Sequence, residues 1–147
     1  MKKRYIAMIL MAIFLFSVVN AQSVPDPQLE NIGGVNIEIP YGFHENKSLT
    51  KDYTTTVHTN RTVDIHYRTY YDEYNETAEI IVTEFNSYSD SDDSIEHLDA
   101  EEVIINGVNG KLANTTNLYI FDYVMDGQLV EIRSDDYNLI SFFVYNQ

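Results

Sequence analysis

The stretch Asn117-Leu118-Tyr119-Ile120-Phe121-Asp122-Tyr123-Val124-Met125 runs into Asp126-Gly127 and continues as Gln128-Leu129-Val130-Glu131-Ile132-Arg133. Leu118, Ile120 and Val124 alternate with Tyr119, Phe121 and Tyr123, the period of a strand whose successive side chains point to opposite faces. Asp-Gly is the pair that adopts positive φ at both centres of a two-residue turn, and such a turn matches the twist of its flanking strands. The segment therefore predicts an antiparallel hairpin.

Working outward, the same logic fills most of the chain. Val35, Ile37 and Ile39 alternate with Asn36 and Glu38 until Pro40-Tyr41-Gly42 stops the run. Thr54–Thr59 and Thr62–Tyr71 are rich in β-branched and aromatic residues and read as a hairpin about Asn60-Arg61, with Val63, Ile65 and Tyr67 on one side and Asp64, His66 and Arg68 on the other. Ala78–Tyr88 contains Ile80-Ile81-Val82, an apolar run that suits a central strand. Val103–Ile105 is a further strand, with Asn106-Gly107 and Asn109-Gly110 supplying a reversal into Lys111-Leu112.

Two segments read as helix. Ser89–Glu102 is acidic, with Ile95, Leu98 and Glu102 at helical spacing behind Asp93, whose partner three residues on is Glu96. Ser134-Asp135-Asp136 caps a run that places Leu139, Ile140, Phe143 and Val144 on one face, although Phe142–Tyr145 also suits a closing strand. The helix is preferred. The fold class expected is α+β, an antiparallel β-sheet built from hairpins with one short mid-chain helix and a C-terminal helix; all-β is the alternative.

Met-Lys-Lys-Arg, an apolar run from Tyr5 to Val19 and Val19-Asn20-Ala21 before Gln22 have the layout of a cleavable export signal. Fifteen helical residues cover about 22 Å, short of the roughly 30 Å of a bilayer core, so cleavage is expected over retention as an N-terminal anchor. The organisation expected is 1–21 signal peptide, 22–34 flexible lead-in and 35–147 a single β-rich domain. Removing the signal leaves 126 of 147 residues, enough to bury a core, and 6 bases against 23 acids, a net charge of −17. Nucleic acid and peripheral binding to anionic membrane are excluded as partners, because both require clustered Lys and Arg. An extracellular protein or glycan is the partner class left. With no cysteine in the chain, lipid attachment through sulfur, disulfides and thiol catalysis are excluded.

Four Asn-x-Ser/Thr sequons, at Asn46, Asn60, Asn75 and Asn114, fall in expected turns and are N-glycosylation candidates, with unmodified polar turns as the alternative. Pairing about Asn60-Arg61 would set His58 opposite Val63 and His66 opposite Thr55, pointing the two rings apart. His44 and His97 add no metal-binding spacing. Asp90, Asp92 and Ser94 with Glu101 echo the oxygen-ligand spacing of a calcium loop, which makes calcium the candidate cofactor, but Ile95 stands where the sharp turn needs Gly. An acidic helix start is the plainer reading. Tyr67, Tyr70, Tyr71 and Tyr74 crowd one strand end and are read either as packing or as a contact surface. No Gly-x-Ser-x-Gly elbow or phosphate-cradling loop is present, so no enzyme is expected. The functional expectation is an exported, non-catalytic acidic domain that binds or serves something at the cell surface; the alternative is a calcium-dependent extracellular module using Asp90–Glu101.

The run Ile104–Lys111, the segment Tyr119–Val130 and Ser134-Asp135-Asp136 together resemble small exported archaeal proteins of unknown function. They are similar, more distantly, to a bacterial extracytoplasmic domain of unknown function found in anti-sigma-like and lipoprotein chains. The resemblance implies a curved antiparallel sheet with a C-terminal helix, and it implies no catalytic residues.

Overall fold

The computed structural model describes residues 26–57, 61–86, 88–96 and 99–144. The proposed signal, Asn60, His58, His97 and Leu98 lie outside them. Among the described residues, ten strands and two helices follow in order: β1 (Gln28–Ile32), β2 (Val35–Ile39), β3 (His44–Glu45), β4 (Lys51–Val57), β5 (Arg61–Tyr71), β6 (Thr77–Glu84), α1 (Tyr88–Glu96), β7 (Glu101–Ile105), β8 (Val108–Thr115), β9 (Leu118–Met125), β10 (Gln128–Ser134) and α2 (Tyr137–Phe143). This is an α+β fold dominated by antiparallel strands. β1 and β2 form a separate hairpin, and the remaining strands make one sheet in the order β3-β5-β6-β10-β9-β8-β7, with β4 also on β5.

The Asp126-Gly127 hairpin forms as its residues dictate. Both turn residues take positive φ (53° and 76°), and Met125 pairs with Gln128. β10 then returns to β6, so that Val130 meets Val82 and Ile132 meets Ile80 in the middle of the sheet. The central position expected for Ile80-Ile81-Val82 holds, but alternation divides the run: Ile80 and Val82 are fully buried while Ile81 is half-buried on the opposite face.

One face carries Tyr70, Ala78, Ile80, Val82, Phe121, Tyr123, Val130 and Ile132. It is covered by the β1–β2 hairpin, through Ile32, Val35, Ile37 and Ile39, and by α2, through Ile140, Phe143 and Val144. Phe143 packs edge-on against Phe43 at 5.0 Å and lies 5.8 Å from Tyr70. Asp136 caps α2 by accepting from the Asn138 backbone N–H at 2.8 Å, as the Ser-Asp-Asp signal predicts.

The structure corrects four local readings. The lead-in expected over 22–34 is ordered from Gln28, because Gly33 and Gly34 take positive φ and turn β1 back along β2. The β4–β5 register is displaced by three residues, with Thr55 opposite Val63 and Asp52 opposite His66, because Arg61, expected in the turn, already pairs with Val57 as the first residue of β5. Helix α1 begins at Tyr88, so Asp93 lies inside it and caps nothing. Of the two Asn-Gly pairs, Asn106-Gly107 makes the turn, whereas Gly110 lies within β8. A Cβ on Gly110 would run into the backbone carbonyl oxygen of Asp122 and come within 2.6 Å of the Phe121 ring, so the close approach of β9's backbone and that ring is what requires glycine there.

Candidate functional site

The four crowded tyrosines do not form one patch. Tyr70 is buried in the core and donates its hydroxyl to Glu30 at 2.8 Å; burial first, then that bond to a carboxylate, holds its pKa well above the ordinary tyrosine value. Tyr67 faces the other side of the sheet, with the Lys51 ammonium 5.7 Å from its ring. Tyr71 lies beside His44, ring centres 6.3 Å apart, and only Tyr74 is freely exposed, at 75%. Alternation along β5 separates 67 and 71 from 70, and the turn after β5 carries Tyr74 outward.

The turn places Tyr74 across from a residue the sequence reading passed over. Tyr41, in the Pro40-Tyr41-Gly42 stop after β2, is 71% exposed. Both rings border a groove of about 660 Å³, which Ile39, Pro40 and Phe43 floor and which Asp26, Asp72 and Glu73 supply with carboxylates. Asp72 also holds the turn, accepting from the backbone N–H groups of Tyr74 and Glu76 at 2.9 Å. A tyrosine between Pro and Gly in a strand-ending turn has no core to enter, and that was the available signal for Tyr41.

The acidic segment is not folded as a loop. Asp90, Asp92 and Ser94 are on α1, where positions two apart lie on different sides of the helix, and Glu101 stands at the start of β7. Asp90 pairs with Arg61 at 2.5 Å, and Ser94 Oγ donates to the Asp90 carbonyl at 2.7 Å. Among the described residues, no group of three or more His, Asp or Glu side chains converges as a metal site requires. The calcium-loop spacing is thus wound onto a helix, with Ser91 buried and Ile95 half-buried.

Two polar clusters went unread. His66 lies between Asp52, 2.8 Å from Nδ1, and Glu84, 3.3 Å from Nε2, while Arg68 donates to Asp52 at 2.8 Å. The Arg68 bond holds the Asp52 carboxyl below the usual carboxylate range against the opposing effect of burial, with His66 adding to it. The Gly33 turn rests on this His66 ring. Across the sheet, Glu131 is directly opposite Asp122, and the same row continues to Lys111. Arg133 pairs with Glu131 at 2.5 Å. Asp122 is 4% exposed; burial first, then the Glu131 charge and hydrogen bond, push its carboxyl up to about 7 against the pull of Arg133. An Asp-Gly turn at 126–127 fixes this opposition from sequence alone. A carboxyl pair of this kind is suited to sharing a proton, yet neither member lines the tyrosine groove.

A second groove, of about 860 Å³, lies beside the last strand of the sheet and is lined by Asp92, Ile95 and Glu96 of α1 together with Glu102, Val103 and Ile104 of β7. Of the glycosylation candidates, Asn75 and Asn114 are exposed, Asn75 with φ at 61°. Asn46 is half-buried, with its side-chain oxygen accepting from the Ser48 hydroxyl at 2.6 Å. No protein-family model, no curated protein and no solved structure matches this chain, so the geometry above is what any functional reading has to rest on.

Proposed function

We propose that the chain is an exported, non-catalytic binding module, and that it holds a partner polypeptide in the groove between Tyr41 and Tyr74. The observation that carries this reading is the pair of rings itself, each more than two-thirds exposed at the rim of one concave site. Exposed tyrosines give stiff, amphipathic contact area at small entropic cost, and they are enriched where proteins meet. The carboxylates of Asp26, Asp72 and Glu73, in an exported chain whose net charge is −17 once residues 1–21 are removed, select a partner segment with Lys or Arg among apolar residues. A lysine or arginine side chain suits both components, since its stem packs on the rings and its charge meets the acids.

The test is capture from culture medium and envelope extract by immobilised wild-type protein and by the Tyr41→Ala/Tyr74→Ala variant. The wild type should retain basic proteins that the variant releases. The same retained set on both, or none on either, would refute the groove.

A further inference from the structure

The two ends of the sheet are finished differently. At one end β5 is flanked by both β3 and β4, and β4 carries Lys51 and Asp52 at its start. At the other end β7 pairs with β8 alone, and among the described residues no strand occupies its outer side. An outer strand presents backbone N–H and C=O groups to any extended chain, and natural edges are usually protected by Lys, Pro, a bulge or a covering segment. β7 reads Glu-Glu-Val-Ile-Ile, and its Ile104 side chain is 70% exposed. The groove of about 860 Å³ runs alongside it, with Ile95, Val103 and Ile104 as apolar lining and Asp92, Glu96 and Glu102 as acids. Lys111, the basic residue in that lining, donates to the Glu96 carbonyl at 3.0 Å.

We infer that the outer edge of β7 receives an extended strand from a second, basic protein, pairing main chain to main chain and extending the sheet by one strand. Alternate side chains of an incoming strand fall on opposite faces. On the face that Glu102 and Ile104 share, one set, if Lys or Arg, meets Asp92, Glu96 and Glu102 with its stems against Ile104, and the other set lies on the Val103 face. A second copy of this chain is the poorer occupant, because both copies carry a net charge of −17 once residues 1–21 are removed and neither brings a basic strand to the contact. This edge is distinct from the tyrosine groove, which shares none of its lining residues.

The probe is a synthetic eight-residue peptide of alternating Val and Lys, titrated into the isotope-labelled full chain while backbone amide shifts are followed. The expected result is saturable shifts at residues 101–105 and in α1, weakened about tenfold or more by Ile104→Lys, which adds a like charge where the peptide docks. Leu29→Lys, a comparable change at an exposed aliphatic on β1, should bind as the wild type does. A peptide with Glu in place of Lys should give no shifts. Shifts centred elsewhere, undiminished binding by Ile104→Lys, equal binding of the Glu peptide, or concentration-dependent self-association that the Lys peptide does not displace would each overturn the inference.

Discussion

The two faces of the sheet obey the same alternation and end in opposite states. On one, Ile80, Val82, Phe121, Val130 and Ile132 are sealed under the β1–β2 hairpin and α2 at zero exposure. On the other, Ile81, Ile120 and Glu131, next to those residues along their strands, are only half-buried, and a belt of polar groups, buried at Thr69 and Asp122, runs through Thr69, Glu79, Arg133, Glu131 and Asp122. Among the described residues, the buried side-chain atoms without a hydrogen-bond partner, Thr69 Oγ1, Asp122 Oδ1 and Arg133 Nε, all belong to this second face. Stability is therefore concentrated in the first face, and electrostatic tension in the second.

Adjacent residues of β6 provide the sharpest contrast. Ile80→Ala should cost about 3–4 kcal/mol, as lost transfer energy plus a residual cavity, while Ile81→Ala should cost about 1 kcal/mol because its site is partly open to water. Urea melts of the two variants measure the difference, and equal costs would dissolve the distinction between the faces. Gly110→Ala tests the close approach of β8 to Phe121 and should cost about 1–3 kcal/mol, since the added methyl has to displace an aromatic ring or a strand.

The second face has a pH signature. Asp122 keeps its proton in the folded protein up to about pH 7, whereas in the unfolded chain it loses it near the ordinary value of 3.8. Between those limits the folded state binds more protons than the unfolded one, so this group's stabilisation is complete in acid and is lost as pH rises from about 4 to about 7. Asp122→Asn should remove that slope, read as melting temperature against pH. Asp52 acts in the opposite sense and at lower pH, its contribution being lost as the pH falls below 3.8. Removal of the α2 cap by Asp136→Ala should cost about 1 kcal/mol. Smallest of all is the effect of calcium: with Asp90, Asp92 and Ser94 wound onto α1, millimolar calcium should leave the melting temperature where chelator leaves it.

Legibility from sequence followed the same division. Hairpins with period-two alternation and a two-residue turn, above all the one about Asp126-Gly127, specify their own register, and the four apolar positions of α2 behind Asp136 specify its face. What escaped depended on tertiary placement. Nothing local distinguishes β1 from a linker, because Gln28-Leu29-Glu30-Asn31-Ile32 acquires its role only when Gly33-Gly34 folds it back onto β2 and Glu30 meets Tyr70. The tyrosine groove joins a turn after β2 to a turn after β5, and no spacing along the chain connects Tyr41 with Tyr74. Opposition of Asp122 and Glu131, by contrast, was available from the turn alone; its consequence depended on burial.

The most direct test of the binding role is site-specific photocrosslinking in the native host, with a photoreactive amino acid at position 74 and, as reference, at the exposed Phe142 of α2. Position 74 should yield a discrete adduct with a basic extracellular protein that position 142 does not. Identical adducts from both positions, or none from position 74 in protein that has reached its compartment, would contradict the account.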